Sequence, residues 1–116
     1  MSDEVKLGNV LVPAGDVEGA VQFYGQGLGL PVKFQDGARF AALDGGTVTI
    51  AIAGAEEDVT GGRVAASFKV SDVATAVERL VGAGATLERP AEQGPHEVRA
   101  ALTDPWGNAF VVYGPQ

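Results

Sequence analysis

The chain has 116 residues, 46% of them hydrophobic, and its 15 acidic against 8 basic side chains give a net charge of −7. This length suits one domain, 1–116, with a core large enough to fold without a disulfide or a metal. The acidic balance argues against nucleic acid, the absence of cysteine excludes disulfides, thiolate metal sites and a cysteine nucleophile, and no apolar run nears the ~20 residues of a membrane span.

A short, mostly apolar run over 5–12, ended by Pro13 and Gly15, predicts a strand buried on both faces. Asp16 stands where an N-cap belongs, and a helix is predicted over 17–26. Its apolar stripe is Val17, Ala20, Val21 and Tyr24, with Gly27 and Gly29 closing it. Asp36-Gly37 predicts a tight turn between strands over 31–35 and 38–43; Asp44-Gly45-Gly46 turns into a β-branched strand over 47–53. The polar stretch 54–62, with Glu56-Glu57-Asp58 and Gly61-Gly62, reads as a linker. A strand over 63–71 leads to Asp72, the cap of a second helix with the stripe Val73, Ala76, Val77 and Leu80, ended by Gly82 and Gly84. A short strand over 86–88, a loop over 89–95 holding Pro90 and Pro95, and strands over 98–103 and 109–113 complete the chain.

The sequence therefore says one thing twice. Asp16-Val17-Glu18-Gly19-Ala20-Val21 returns as Asp72-Val73-Ala74-Thr75-Ala76-Val77, 56 residues on, near half the length. Such a period means two copies of one supersecondary unit rather than a solenoid, which needs about three repeats. The reading is an α+β domain with a first βαβββ unit over 5–53, a linker over 54–62 and a second unit over 63–114.

Two such units, the helix running from Asp16 to Phe23-Tyr24 and Gly27-Leu28-Gly29-Leu30, and the closing Asp104-Pro105-Trp106-Gly107-Asn108 resemble the glyoxalase / bleomycin-resistance / extradiol-dioxygenase superfamily, the vicinal oxygen chelate fold. The resemblance implies curved mixed sheets around a cleft, and a homodimer. In the enzymes of that superfamily a divalent metal is held by His, Gln or Glu. The first and third ligands stand seven residues before each capping Asp, here Asn9 and Ala65. The last stands seven residues after the Asp of the closing turn, here Val111, and the second lies on the strand over 47–53, at Thr49 or Ala51. Ala and Val side chains offer no lone pair to an ion, and a slip of one residue brings Gly8, Val10, Val64, Ala66, Phe110 or Val112. No metal and no other cofactor is expected, and every metal-dependent activity of the superfamily is in doubt.

His96, the only histidine, is either a general base or cleft contact, or an exposed loop histidine. Trp106 either stacks on a planar ligand or covers the end of a sheet. Tyr113 shares a strand face with Val111, Ser67 with Ala65, and Leu11 with Asn9, by the two-residue alternation. Arg99 either holds a ligand carboxylate or caps the surface, and Phe40 and Phe68 line the cleft or fill the helix-side core, the latter preferred for Phe68. The expected ligand contacts are Asn9, Leu11, Thr49, Ser67, His96, Arg99, Trp106, Val111 and Tyr113, a sparse polar set on apolar walls such as small-molecule pockets present.

The resemblance implies a metal-free protein, similar to the bleomycin-resistance branch, that binds a drug or metabolite without transforming it. The acidic balance suits a cationic or aromatic ligand. The alternatives are a glyoxalase-like lyase or isomerase with an atypical or absent metal site, and a partner subunit with a closed cleft. The acidic start Met1-Ser2-Asp3-Glu4, with no apolar h-region after it, sets the expectation of a cytoplasmic protein without a leader.

Overall fold

A computed structural model describes residues 5–95 and 97–115. Their elements in chain order are β1 (Lys6–Pro13), α1 (Val17–Leu28), β2 (Val32–Asp36), β3 (Phe40–Asp44) and β4 (Thr49–Ala53), then β5 (Ala65–Lys69), α2 (Val73–Gly82), β6 (Thr86–Gln93), β7 (Val98–Thr103) and β8 (Ala109–Gly114). Strand, helix and three strands occur twice, so the α+β architecture of two βαβββ units stands. Two compact units result: a first from Asn9 to Val64, and a second from Ala65 onward together with the chain start through Gly8. The division falls inside β1 at one end and between Val64 and Ala65, just before β5, at the other.

In the first unit the strand order is β2-β3-β4-β1. β1 runs parallel to β4, and β3 is antiparallel to both β2 and β4. Asp16 caps α1, its Oδ1 accepting from the Gly19 N–H at 2.9 Å. The helix runs past Gly27, where the sequence places its end, because Gly29 is the glycine that takes the left-handed conformation, φ +74°. The apolar stripe of α1 settles on one sheet face, with Val17, Ala41, Leu43 and Ile52 buried and Val12, Tyr24 and Ile50 packed around them.

The second unit repeats the plan in the order β5-β8-β7-β6, with β5 parallel to β8 and β7 antiparallel to its neighbours. Asp72 caps α2 by accepting from the Thr75 N–H at 3.2 Å. Gly19 in the first unit lets the Asp16 carboxylate come closer: a Cβ there would stand 2.5 Å from it. The core holds Val70, Val73, Ala100, Leu102 and Val112. Phe68 joins it edge-to-face with Phe110, ring centroids 6.3 Å apart.

One expectation needs correction. The stretch 89–95 is not a loop, since β6 runs through it to Gln93 and includes Pro90. β6 pairs only with β7 and is irregular between Leu87 and Arg89 and again between Arg89 and Glu92, and an edge strand with bulges tolerates a proline that a central strand would not. The connecting stretch 54–62, between β4 and β5, is tied down by its own bonds. Val59 and Thr60 are buried, and Asp58 accepts from the Thr60 N–H and hydroxyl and from the Gly62 N–H. Glu57, nearly buried, takes both Nε and a terminal nitrogen of Arg39, at 3.2 and 2.8 Å. That hydrogen bond, with the charge of Glu56 behind it, holds the guanidinium pKa above its ordinary value. Among the described residues, no helix is long and apolar enough to cross a membrane.

Candidate functional site

The sheet face of the first unit opposite α1 carries the residues that the sequence singles out there. Asn9 and Thr49 are register partners across β1 and β4, and Leu11 and Ala51 are the next pair on the same face. Leu11 and Ala51 are buried, while Asn9 and Thr49 are half-buried. The Asn9 Oδ1 is shielded from water and has no hydrogen-bond partner among the described residues. A third polar group, missed at the sequence level, joins them. Lys33 Nζ donates to Thr49 Oγ1 at 2.8 Å. It comes from β2, on the far side of β3, because Val32 pairs with Leu43 and Phe34 with Ala42, which leaves Lys33 as the extra residue of a bulge. Bulges re-aim side chains in this way. The only signal in the sequence is a lysine two positions after Pro31, within a strand otherwise read by its apolar residues.

In the second unit Ser67 and Val111 are register partners on β5 and β8, both buried. Tyr113 lies two residues along β8 from Val111, opposite Arg99 on β7. Its phenol lies against Gly8: a Cβ at Gly8 would coincide with the hydroxyl. Arg99 reaches toward the β6–β7 connection, where a Cβ at Gly94 would stand 3.3 Å from its Nε. Ser67, Val111, Tyr113 and Arg99 thus form one neighbourhood. Trp106 does not join it. It projects from the β7–β8 turn at 83% exposure, with no ring partner among the described residues. About 14 Å of strand separates Ala109, where that turn ends, from Tyr113. His96 lies outside the described residues.

The turn is built by its other members. Asp104 Oδ1 accepts from the N–H groups of Trp106 and Asn108, and Oδ2 accepts from the Asn108 amide at 3.0 Å. The Asn108 bonds chiefly hold the Asp104 carboxyl below its ordinary pKa. Gly107 takes φ +90°, which favours glycine. The motif is a hairpin device, and Asp16 and Asp72 are helix caps; neither is chemistry.

Register decides between Thr49 and Ala51. Leu11 pairs with Ala51 as Ser67 pairs with Val111 in the other copy, so Ala51 is the counterpart of Val111 and Thr49 lies one pair away. The positions that the resemblance gives to metal ligands are then Asn9 and Ala51 in the first unit and Ala65 and Val111 in the second, with a single carboxamide among them. The hydroxyl of Thr49, register partner of Asn9, already accepts from an ammonium whose charge repels a cation. Among the described residues no three His, Cys, Asp or Glu gather at one place. The donor set does not fit a divalent ion.

A cavity of about 300 Å³ lies elsewhere, on the α2 side of the second unit, lined by Val5, Phe68, Leu80, Phe110 and the stem of Arg79 among others. No residue proposed from the sequence as a ligand contact lines it. It arises because small Ala76 faces the sheet from the stripe of α2.

Comparison with known proteins agrees with this architecture. The glyoxalase-like domain family matches residues 9–113. An uncharacterized protein of Mycolicibacterium smegmatis is 38% identical over 116 residues, covering 99% of this chain and 97% of that one. A structure described as an NAD-dependent benzaldehyde dehydrogenase from Legionella pneumophila superposes with a TM-score of 0.78 at 16% identity, over 92% of this chain and 97% of that one. A glyoxalase/bleomycin resistance protein/dioxygenase superfamily member from Vibrio splendidus 12B01 does so with a TM-score of 0.69 at 18% identity, over 97% and 99%. At such identities the structures share a fold with this chain, and function has to be argued from the site. The chain belongs to the glyoxalase-like domain family and shares the fold of the glyoxalase/bleomycin resistance protein/dioxygenase superfamily member.

Proposed function

We propose that this protein binds a small molecule without metal and without transforming it, in the manner of the bleomycin-resistance branch of its superfamily. The observation that carries this reading is the chemistry of the four register positions: three hydrocarbon side chains and one carboxamide, with an ammonium bonded to the neighbouring hydroxyl. Apolar surface with a few polar groups suits a ligand's body and its orientation. The same reading includes a homodimer. Phe23 and Leu28 of α1 are more than half exposed, large apolar side chains that association would cover.

The test is a thermal-shift screen of natural-product antibiotics and metabolites, run with the metal-free protein and again with Mn²⁺, Zn²⁺ or Ni²⁺ added. A ligand at 100 times its dissociation constant adds about 2.7 kcal/mol of stability. Binding that is independent of metal and leaves the ligand intact is the expected result. One divalent ion bound tightly per chain, with turnover of a hemithioacetal, would overturn the reading in favour of a glyoxalase-like lyase or isomerase. Light scattering at micromolar concentration checks the dimer.

A further inference from the structure

The geometry points to an anion subsite in the first unit, in which Lys33, Thr49 and Asn9 hold a small organic carboxylate bearing a hydroxyl or amide N–H beside its carboxylate. The inference rests on the small-molecule reading above and names the ligand class for one part of it.

Three observations converge on it. The first is the sign of the charge. Lys33 Nζ, 2.8 Å from Thr49 Oγ1, makes no ion pair with a carboxylate among the described residues. Asp44, the register partner of Thr49 on β3, turns its own Oδ1 to the Gly46 N–H at 2.8 Å. An ammonium with one neutral partner has two further N–H bonds to give, and a carboxylate oxygen accepts them best. The second is the orphaned acceptor. Asn9 Oδ1 is shielded from water and has no donor among the described residues, a state that costs about 1–3 kcal/mol until a partner arrives. Asn9 and Thr49 stand on adjacent strands, about 4.8 Å apart between chains. One compact molecule therefore meets both demands when its anionic oxygen and its N–H or O–H donor are carried on neighbouring atoms.

The third is the setting. Lys33 is the extra residue of the β2 bulge, and the strand it crosses carries Ala42, whose small side chain leaves room for the lysine stem. Leu11 and Ala51 continue the face one pair along, and Phe34, 56% exposed, is next to Lys33 on β2. Hydrocarbon beside a charged and hydrogen-bonding end suits a ligand with an apolar body. Long-range steering by the net charge of −7 works against such an anion, so selectivity has to come from these contacts.

The experiment uses mandelate as probe, followed by amide NMR of the full chain. Mandelamide keeps its body and hydroxyl without the charge, phenylacetate keeps the charge without the hydroxyl, and 2-amino-1-phenylethanol reverses the charge. The expected result is that mandelate shifts the amides of Lys33, Thr49 and Asn9, that phenylacetate binds more weakly, and that the amide and the amine leave them unmoved. Lys33→Gln, whose fold the same spectra verify, should weaken mandelate about tenfold or more. Equal affinity of mandelate for the wild type and Lys33→Gln overturns the subsite, as does an amine that binds as tightly, or no shift at these residues. If the antibiotic and metabolite screen yields ligands that leave Lys33 unmoved, only the subsite falls. If that screen yields none, the small-molecule reading falls with it.

Discussion

Substituting Gly8→Ala tests whether Tyr113 occupies the place that the structure gives it. The added Cβ would coincide with the phenol oxygen and would stand 2.7 Å from Cζ and 2.9 Å from Cε1. Carbon pairs are most comfortable at about 3.5–4.0 Å, so the ring has to retreat by roughly 1 Å or leave. Overpacking of this kind costs about 1–3 kcal/mol. Gly8 is not among the glycines of positive φ, so alanine meets no backbone strain there, and the smaller entropy of its unfolded chain returns about 0.4–1 kcal/mol. The net expectation is a loss of about 1–2 kcal/mol. In a domain of this size that lowers the melting temperature by roughly 4–8 °C. Urea unfolding of the four members of the cycle Gly8→Ala, Tyr113→Leu and their combination isolates the contact. In the Tyr113→Leu background, Gly8→Ala should be neutral or slightly stabilising. The same loss in both backgrounds, or no loss in either, refutes the seating of Tyr113 against Gly8.

Other expectations concern the scaffold. Gly25 is in the middle of α1, and a Cβ there meets only the Leu30 carbonyl at an ordinary 3.5 Å, so Gly25→Ala should stabilise by about 0.5–1 kcal/mol in chemical denaturation. Ala76→Leu adds volume to the cavity on the α2 side and should raise the melting temperature; a fall would mean that this space is not available to a core side chain. Asp104→Ala should destabilise the β7–β8 turn in a pH-dependent way. The folded carboxyl titrates below its unfolded value, so its contribution is present above about pH 4 and is lost as pH falls through the folded pKa. The gap in melting temperature between wild type and variant should therefore narrow on acidification.

The architecture was open to reading because it was written twice. Asp16 and Asp72 before apolar stripes locate both helices, and Val17 and Val73, next after each, are both buried. Gly107 and Asp104 mark the last hairpin by chemistry that needs no tertiary context. Residues facing away from the helices were also found by alternation, and Ser67 with Val111 and Asn9 with Thr49 prove to be register partners. What escaped depends on ladders. Pro90 signals a loop by itself, and only the position of β6 at an edge permits a strand there. Gly54 to Gly62 has the composition of a linker, and Asp58 and Thr60 close it by local bonds, but Glu57 also ties it to Arg39, 18 residues away, which no local pattern predicts. Trp106 drew attention as the only tryptophan, although its turn makes no use of the ring. Lys33 was invisible because a bulge is a property of two strands.

That bulge has a counterpart, and the pair sharpens the case for Lys33. In β6, Leu87 pairs with Leu102 and Arg89 with Ala101, as Val32 pairs with Leu43 and Phe34 with Ala42 in β2. The extra residue is Glu88 in one copy and Lys33 in the other. Glu88 accepts from the Thr103 hydroxyl at 2.9 Å, while Lys33 donates to the Thr49 hydroxyl at 2.8 Å. One backbone device thus presents opposite charges, each with a threonine turned to suit, because a hydroxyl both donates and accepts. The partners differ in place: Thr103 lies on the neighbouring strand β7, where the first unit has Asp44, and Thr49 lies one strand further on, on β4. Lys33→Glu removes the ammonium and sets a carboxylate on the strand next to Asp44. It should abolish mandelate shifts at Asn9 and Thr49 and bring shifts with 2-amino-1-phenylethanol in their place. If the order of the four probes is the same in Lys33→Glu as in the wild type, the charge at this bulge does not choose the ligand.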